Sequence, residues 1–159
     1  MSKLSGQLTV VAVGKIKQAH WRTAQAEYVK RLGRYTTFKL VEVKDSVGKG
    51  FPDGVAKERE GKLLLKAASS SHRRILLSPD GAQMTSHQLA KFLRDRVGKY
   101  GRLSFLIGGP IGFSDDVIQQ SEESLSLSAL TFPHELARVM LLEQLYRAAT
   151  ILNGEKYHK

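Results

Sequence analysis

The 159-residue chain carries 25 Lys plus Arg against 15 Asp plus Glu, a formal net charge of +10. Its 42% hydrophobic and 25% charged residues exclude a disordered chain, and no apolar run nears the roughly 20 residues that span a bilayer. With no cysteine, disulfides, thiol catalysis and cysteine-based zinc sites are excluded, and the positive charge points to a polyanionic partner such as nucleic acid or a ribosome.

Leu8 to Val13 is a β-branched run stopped by Gly14, which predicts a buried first strand. Ala24, Tyr28 and Leu32 recur at helical spacing within a helix over His20 to Leu32. Phe38 to Val43 reads as a second strand, followed by a basic, glycine-bearing loop from Lys44 to Asp53. A helix is expected over Val55 to Ala68 and a short strand over Arg74 to Leu77, with a turn at Pro79-Asp80-Gly81. Thr85 and Gln88 have capping-box spacing and open a helix to Val97. Leu103 to Ile107 is the fourth strand, closed by Gly108-Gly109-Pro110-Ile111-Gly112. Ser114-Asp115-Asp116 supplies the cap and first-turn acids of a short helix. Ser124 to Leu130 alternates small polar and apolar residues, predicting a fifth strand, and Pro133 opens a last helix to Asn153.

Strands alternating with helices imply an α/β fold: a mostly parallel sheet of about five strands with helices on both faces. Residues 1–7 are expected as a flexible lead-in with no secretory stretch, and 8–159 as one domain, in the cytoplasm. Ligands of such sheets bind beyond the carboxyl ends of the strands, so the loops after Leu77, Ile107 and Leu130 are the places for a pocket. The glycine loop lets a ligand approach the backbone, or serves only as a tight turn. It is neither a Rossmann fingerprint nor a P-loop, since no Gly-Lys-Ser or Gly-Lys-Thr occurs. His134 can act as a base or simply cap or pack against its helix. The five histidines lack metal-ligand spacing, so no metal is expected. Val139, Leu142, Leu145, Tyr146, Ala149 and Leu152 form an apolar stripe for a core or a subunit interface. Glu143 and Arg147 are spaced i, i+4; Arg138 and Arg147 are also candidates to meet phosphate or to position a catalytic group.

Leu106 to Gly112, Ser126 to His134, and Glu143-Gln144-Leu145-Tyr146-Arg147-Ala148 closing on Tyr157-His158-Lys159 together resemble one family over nearly the whole chain. It is the ribosomal RNA large subunit methyltransferase H family, of the SPOUT class. The resemblance implies an α/β knot with a C-terminal trefoil, S-adenosyl-L-methionine as methyl donor, and a homodimer. The implied reaction is N3-methylation of a pseudouridine in 23S ribosomal RNA of assembled ribosomes. By motif matching, Leu77, Gly108, Leu127, Ser128, Ala129, Leu130, Thr131 and Phe132 would hold the cofactor, although Ser78 stands where the family often has an acidic residue. His134, Arg138, Arg147, Tyr157 and His158 would orient the base, help remove its proton and meet RNA. The alternative from the residues alone is a non-enzymatic basic RNA- or ribosome-binding module of the same fold.

Overall fold

Strands sandwiched between helix layers must be buried on both faces, and the runs Leu8 to Ala12 and Leu103 to Ile107 are. A computed structural model describes residues 4–159. Its elements are β1 (Gln7–Val13), α1 (Ala19–Leu32), β2 (Thr37–Val43), α2 (Asp53–Ala67), β3 (Arg73–Gln83), α3 (Ser86–Tyr100), β4 (Arg102–Ile107), α4 (Asp115–Gln119), β5 (Glu123–Ser126) and α5 (His134–Leu152). The five strands lie in the order β2-β1-β4-β3-β5, and every paired neighbour is parallel.

Successive residues alternate between the two faces. Val10, Ile75 and Phe105 join the larger core, where Leu32 of α1, Leu93 of α3 and Leu141, Leu142 and Leu145 of α5 pack. Their neighbours Val11, Leu76 and Leu106 meet Leu64 of α2 and Val117 of α4 on the other side. The expected α/β sheet with helices on both faces is therefore present. Thr85 and Gln88 form the expected capping box, and Ser114 Oγ accepts the Val117 N–H to cap α4.

Two expectations need correction. The third strand does not end at Leu77: β3 continues to Gln83, and both Leu77 and Ala82 face Leu125 of β5. Residues 78–81, including the expected Pro79-Asp80-Gly81 turn, are thus extruded as a bulge inside a paired strand. Gly81 permits it, because a Cβ there would lie 2.7 Å from the Leu125 backbone. The fifth strand, expected over Ser124 to Leu130, stops at Ser126. Ser126 Oγ donates to the Ser128 carbonyl at 2.9 Å and Ser128 Oγ accepts the Leu130 N–H at 3.1 Å, local bonds that replace the ladder. Of the expected flexible lead-in, residues 1–3 lie outside the described residues. Leu4 onward is packed: Leu4 is fully buried, the Gly6 carbonyl accepts the Thr36 hydroxyl at 2.7 Å, and Gln7 already pairs in β1.

Candidate functional site

The two irregularities just described build a pocket. The β3 bulge, the glycine loop after β4 and the segment between β5 and α5 enclose a cavity of about 380 Å³ at the carboxyl edge of the sheet, within the usual range for a small-molecule site. Leu77, Ser78 and Pro79 line it from the bulge, and Ile107, Gly108 and Gly109 from the end of β4. Leu127, Ser128, Leu130, Thr131 and Phe132 form the third wall, and His134 and Ala137 close it from the first turn of α5. Of the residues matched to cofactor binding, Ala129 alone is not in the lining.

The glycine loop is shaped by its own chemistry. Gly112, at φ 83°, donates to the Gly109 carbonyl at 3.1 Å and closes a tight turn. A Cβ on Gly108 would lie 3.2 Å from the Phe113 ring, and one on Gly109 would lie 2.8 Å from Glu60 Oε1. Larger residues would therefore displace the wall. The cavity is lined mainly by aliphatic and aromatic side chains, with main-chain groups, the hydroxyls of Ser78, Ser128 and Thr131 and the His134 imidazole as its polar parts. That set fits an adenosine-bearing ligand: apolar walls for the heterocycle and backbone groups for its edges.

A second cluster lies along the middle and second half of α5. Glu143 Oε1 accepts from Arg147 Nε at 2.9 Å, from Arg147 Nη2 at 2.6 Å and from the Tyr157 hydroxyl at 3.0 Å. The Arg147 guanidinium also stands 4.8 Å from the Tyr157 ring centre and 3.1 Å, through Nη1, from His158 Nδ1. A guanidinium only donates, so Nδ1 accepts and the imidazole hydrogen sits on Nε2. Burial, then hydrogen bonds with Tyr28 and Glu143, push the Tyr157 phenol well above its ordinary value of 10.0. Tyr157 is therefore a donor at neutral pH and not a base. Next along the tail, Tyr35 donates to Glu155 Oε2 at 2.7 Å; burial followed by this bond pushes Tyr35 up to about 12. The carboxy-terminal tail, whose fraying is the default for any chain end, is thus held at two points.

Arg138, expected to meet phosphate or to position a catalytic group, is turned into the chain in this structure. It is 3% exposed, with Nη1 at 2.6 Å from Glu42 Oε2 and Nη2 at 2.9 Å from the Gly14 carbonyl. It braces α5 against the ends of β1 and β2 through Nη1 and Nη2, while its Nε is buried with no hydrogen-bond partner among the described residues. Glu143, Tyr28 and Glu60 were not singled out as site residues. The i, i+4 spacing of Glu143 and Arg147 was the available signal for the first; the others are brought in by tertiary contact alone.

A family model described as "Predicted SPOUT methyltransferase" matches residues 7–158. The chain is 44% identical over 153 residues to the ribosomal RNA large subunit methyltransferase H of Geotalea daltonii, covering 96% of this chain and 99% of that protein. It is 41% identical over 161 residues to the protein of the same name from Clostridium botulinum, with the same coverage. Two solved structures share the fold, each at 15% identity and TM-score 0.58. One is a probable methylase family protein from Haemophilus influenzae Rd KW20, matched over 98% of this chain and 71% of that one. The other is a probable methyltransferase from Bordetella pertussis Tohama I, matched over 92% and 96%. With a three-walled pocket where the family motifs fall, and near full-length identity above 40%, the chain belongs to the SPOUT methyltransferases and, among them, to the ribosomal RNA large subunit methyltransferase H family.

Proposed function

We propose that the protein methylates N3 of a pseudouridine in 23S ribosomal RNA of assembled ribosomes, in the cytoplasm, with S-adenosyl-L-methionine held in the cavity described. When bound, that cofactor supplies an electrophilic methyl group on a sulfonium centre. The observation carrying the proposal is the convergence of the β3 bulge, the glycine loop and the Leu127 to Phe132 segment on one cavity of suitable size and polarity.

In this reading the chain's own task is to position the base and release its N3 proton. Correct alignment alone contributes several kcal/mol to such displacements. Leu77, Phe132 and Leu130 exclude water, while main-chain groups of the glycine loop and of Ser128 to Thr131 fix the cofactor. Ala129, outside the lining, would act by shaping that segment. His134, exposed at the pocket mouth, is the candidate proton acceptor. Tyr157, whose hydroxyl hydrogen goes to Glu143, holds the tail in the place that orients the base, and the remaining N–H groups of Arg147 and His158 Nε2–H are the donors that meet it.

The pocket and the tail cluster do not meet within one chain. His134 and Arg147 are thirteen residues apart on α5, about 20 Å at roughly 1.5 Å per residue. That separation supports a homodimer in which the tail of one copy completes the pocket of the other, with the family's C-terminal knot holding the pocket loops. The 8–159 segment would act as one domain, with no separate RNA-binding module.

The test is transfer of labelled methyl from S-adenosyl-L-methionine to intact ribosomes and to free RNA. Incorporation into one pseudouridine of the ribosome is expected. Ribosome binding with neither cofactor binding nor transfer would favour the non-enzymatic binding module and overturn the reading.

A further inference from the structure

The segment between β2 and α2 is exposed, cationic and tipped by an aromatic ring. Gly48 and Gly50 take φ values of 75° and 86°, and a Cβ built on either, or on Gly54, would meet nothing within 4 Å. The backbone therefore stands clear of the fold. Phe51 is 37% exposed, and the Arg59 guanidinium lies 4.3 Å from its ring centre. Lys44, Lys49, Arg59 and Lys62 are exposed, and none forms an ion pair among the described residues despite nearby Asp45, Asp53 and Glu58. Unpaired cations beside an open π-face match a polyanion that carries stackable rings.

This loop is placed relative to the cofactor pocket by two facts. It leaves the carboxyl end of β2, one strand beyond β1 on the same sheet edge as the glycine loop. The Ser46 N–H donates to Glu60 Oε2 at 2.8 Å, and Glu60, 1% exposed, abuts Gly109 with Oε1, which has no hydrogen-bond partner. One buried carboxylate thus sits against both the basic loop and the wall of the pocket. A membrane surface is a poorer match, because it calls for a broad apolar face and the exposed large apolar side chains here, Phe51, Val55 and Leu63, are interspersed with Lys49, Arg59 and Lys62.

We propose that residues 44–59 form a second RNA-binding element: an unpaired base stacks on the Phe51–Arg59 pair and the flanking phosphates meet Lys44 and Lys49, seating RNA beside the pocket. The proposal rests on the RNA-methylating reading above and adds the surface that holds the substrate.

The test measures ribosome binding by filter retention at two salt concentrations, and methyl transfer, for wild type, Phe51→Ala, Phe51→Trp and Lys49→Ala. Phe51→Ala should bind about tenfold more weakly, the range expected for one lost stack, and raise KM for ribosomes with kcat at saturation unchanged. Phe51→Trp should restore affinity, and Lys49→Ala should lower the salt slope by about one. Thermal stabilisation by S-adenosyl-L-methionine should be the same in all four. An unchanged dissociation constant and KM for Phe51→Ala, or a loss that Trp does not rescue, overturns the stacking surface. Wild type that binds ribosomes but transfers no methyl would instead sink the enzymatic reading and leave the surface measurable.

Discussion

Tyr157, near the end of the chain, donates its hydroxyl hydrogen to Glu143 Oε1 at 3.0 Å, and Glu143 is the residue that neutralises Arg147. The bond ties the last residues to the middle of α5 and keeps the phenol protonated. Tyr157→Phe keeps the ring against Tyr146, whose centre is 4.7 Å away, but loses the donor. Methyl transfer should fall about 100-fold, the scale of a misplaced reacting group, with cofactor affinity and melting temperature little changed. Deleting 157–159 should abolish transfer and leave cofactor binding intact. Single-turnover transfer beside a thermal-shift titration checks both.

Arg138→Ala should cost about 2–4 kcal/mol in urea unfolding, because it strands the Glu42 carboxylate and the Gly14 carbonyl that it now satisfies. The Glu42 side chain is 27% exposed, which keeps the figure below that of a fully buried pair. A variant as stable as wild type but weak in RNA binding would return Arg138 to its expected RNA-facing role.

Glu123 of β5 lies between Arg96 and Arg73, at 2.6 Å and 2.9 Å. The Arg96 hydrogen bond first, aided by the Arg73 bond, holds its carboxyl below the ordinary 4.5 against the opposing effect of burial. The folded state therefore binds this proton more weakly than the unfolded one. The stabilisation is present above about pH 4.5 and is lost as pH falls through the lower folded value. Glu123→Gln should be about 1–2 kcal/mol less stable at pH 7, with the gap to wild type closing in acid. A pH series of chemical denaturation curves measures this.

The parts of the fold set by local chemistry could be read directly from the residues. The β1 and β4 runs, the Thr85 capping box and the Pro133 start of α5 each carry their own signal. The bulge at 78–81 could not be read, since Pro79-Asp80-Gly81 has the composition of an ordinary turn and only its pairing with Leu125 makes it part of a strand. The serines of β5 give strand-like alternation, yet their hydroxyls bond locally and end it. The pocket walls followed from motif and sheet logic together. The inward turn of Arg138 and the contact of Glu60 with Gly109 depend on elements far apart in sequence, and no spacing signals them.

Gly81→Ala should shift the bulge, because its Cβ would press on the Leu125 backbone, which cannot yield as a side-chain tip can. A loss of about 1–3 kcal/mol is expected, together with weaker cofactor binding, as Leu77 and Ser78 move with the bulge. A Gly81→Ala protein that binds the cofactor like wild type would show that the β3 wall is dispensable.

Calorimetric titration of S-adenosyl-L-methionine into wild type and Leu130→Arg reaches the central claim most directly. Leu130 is 70% exposed, so the substitution spares the fold while placing bulk and positive charge at the pocket wall. Saturable binding by wild type, weakened at least tenfold in Leu130→Arg with the melting temperature unchanged, is the predicted result. No binding by wild type, or equal binding by both proteins, would contradict the assignment of this cavity to the methyl donor.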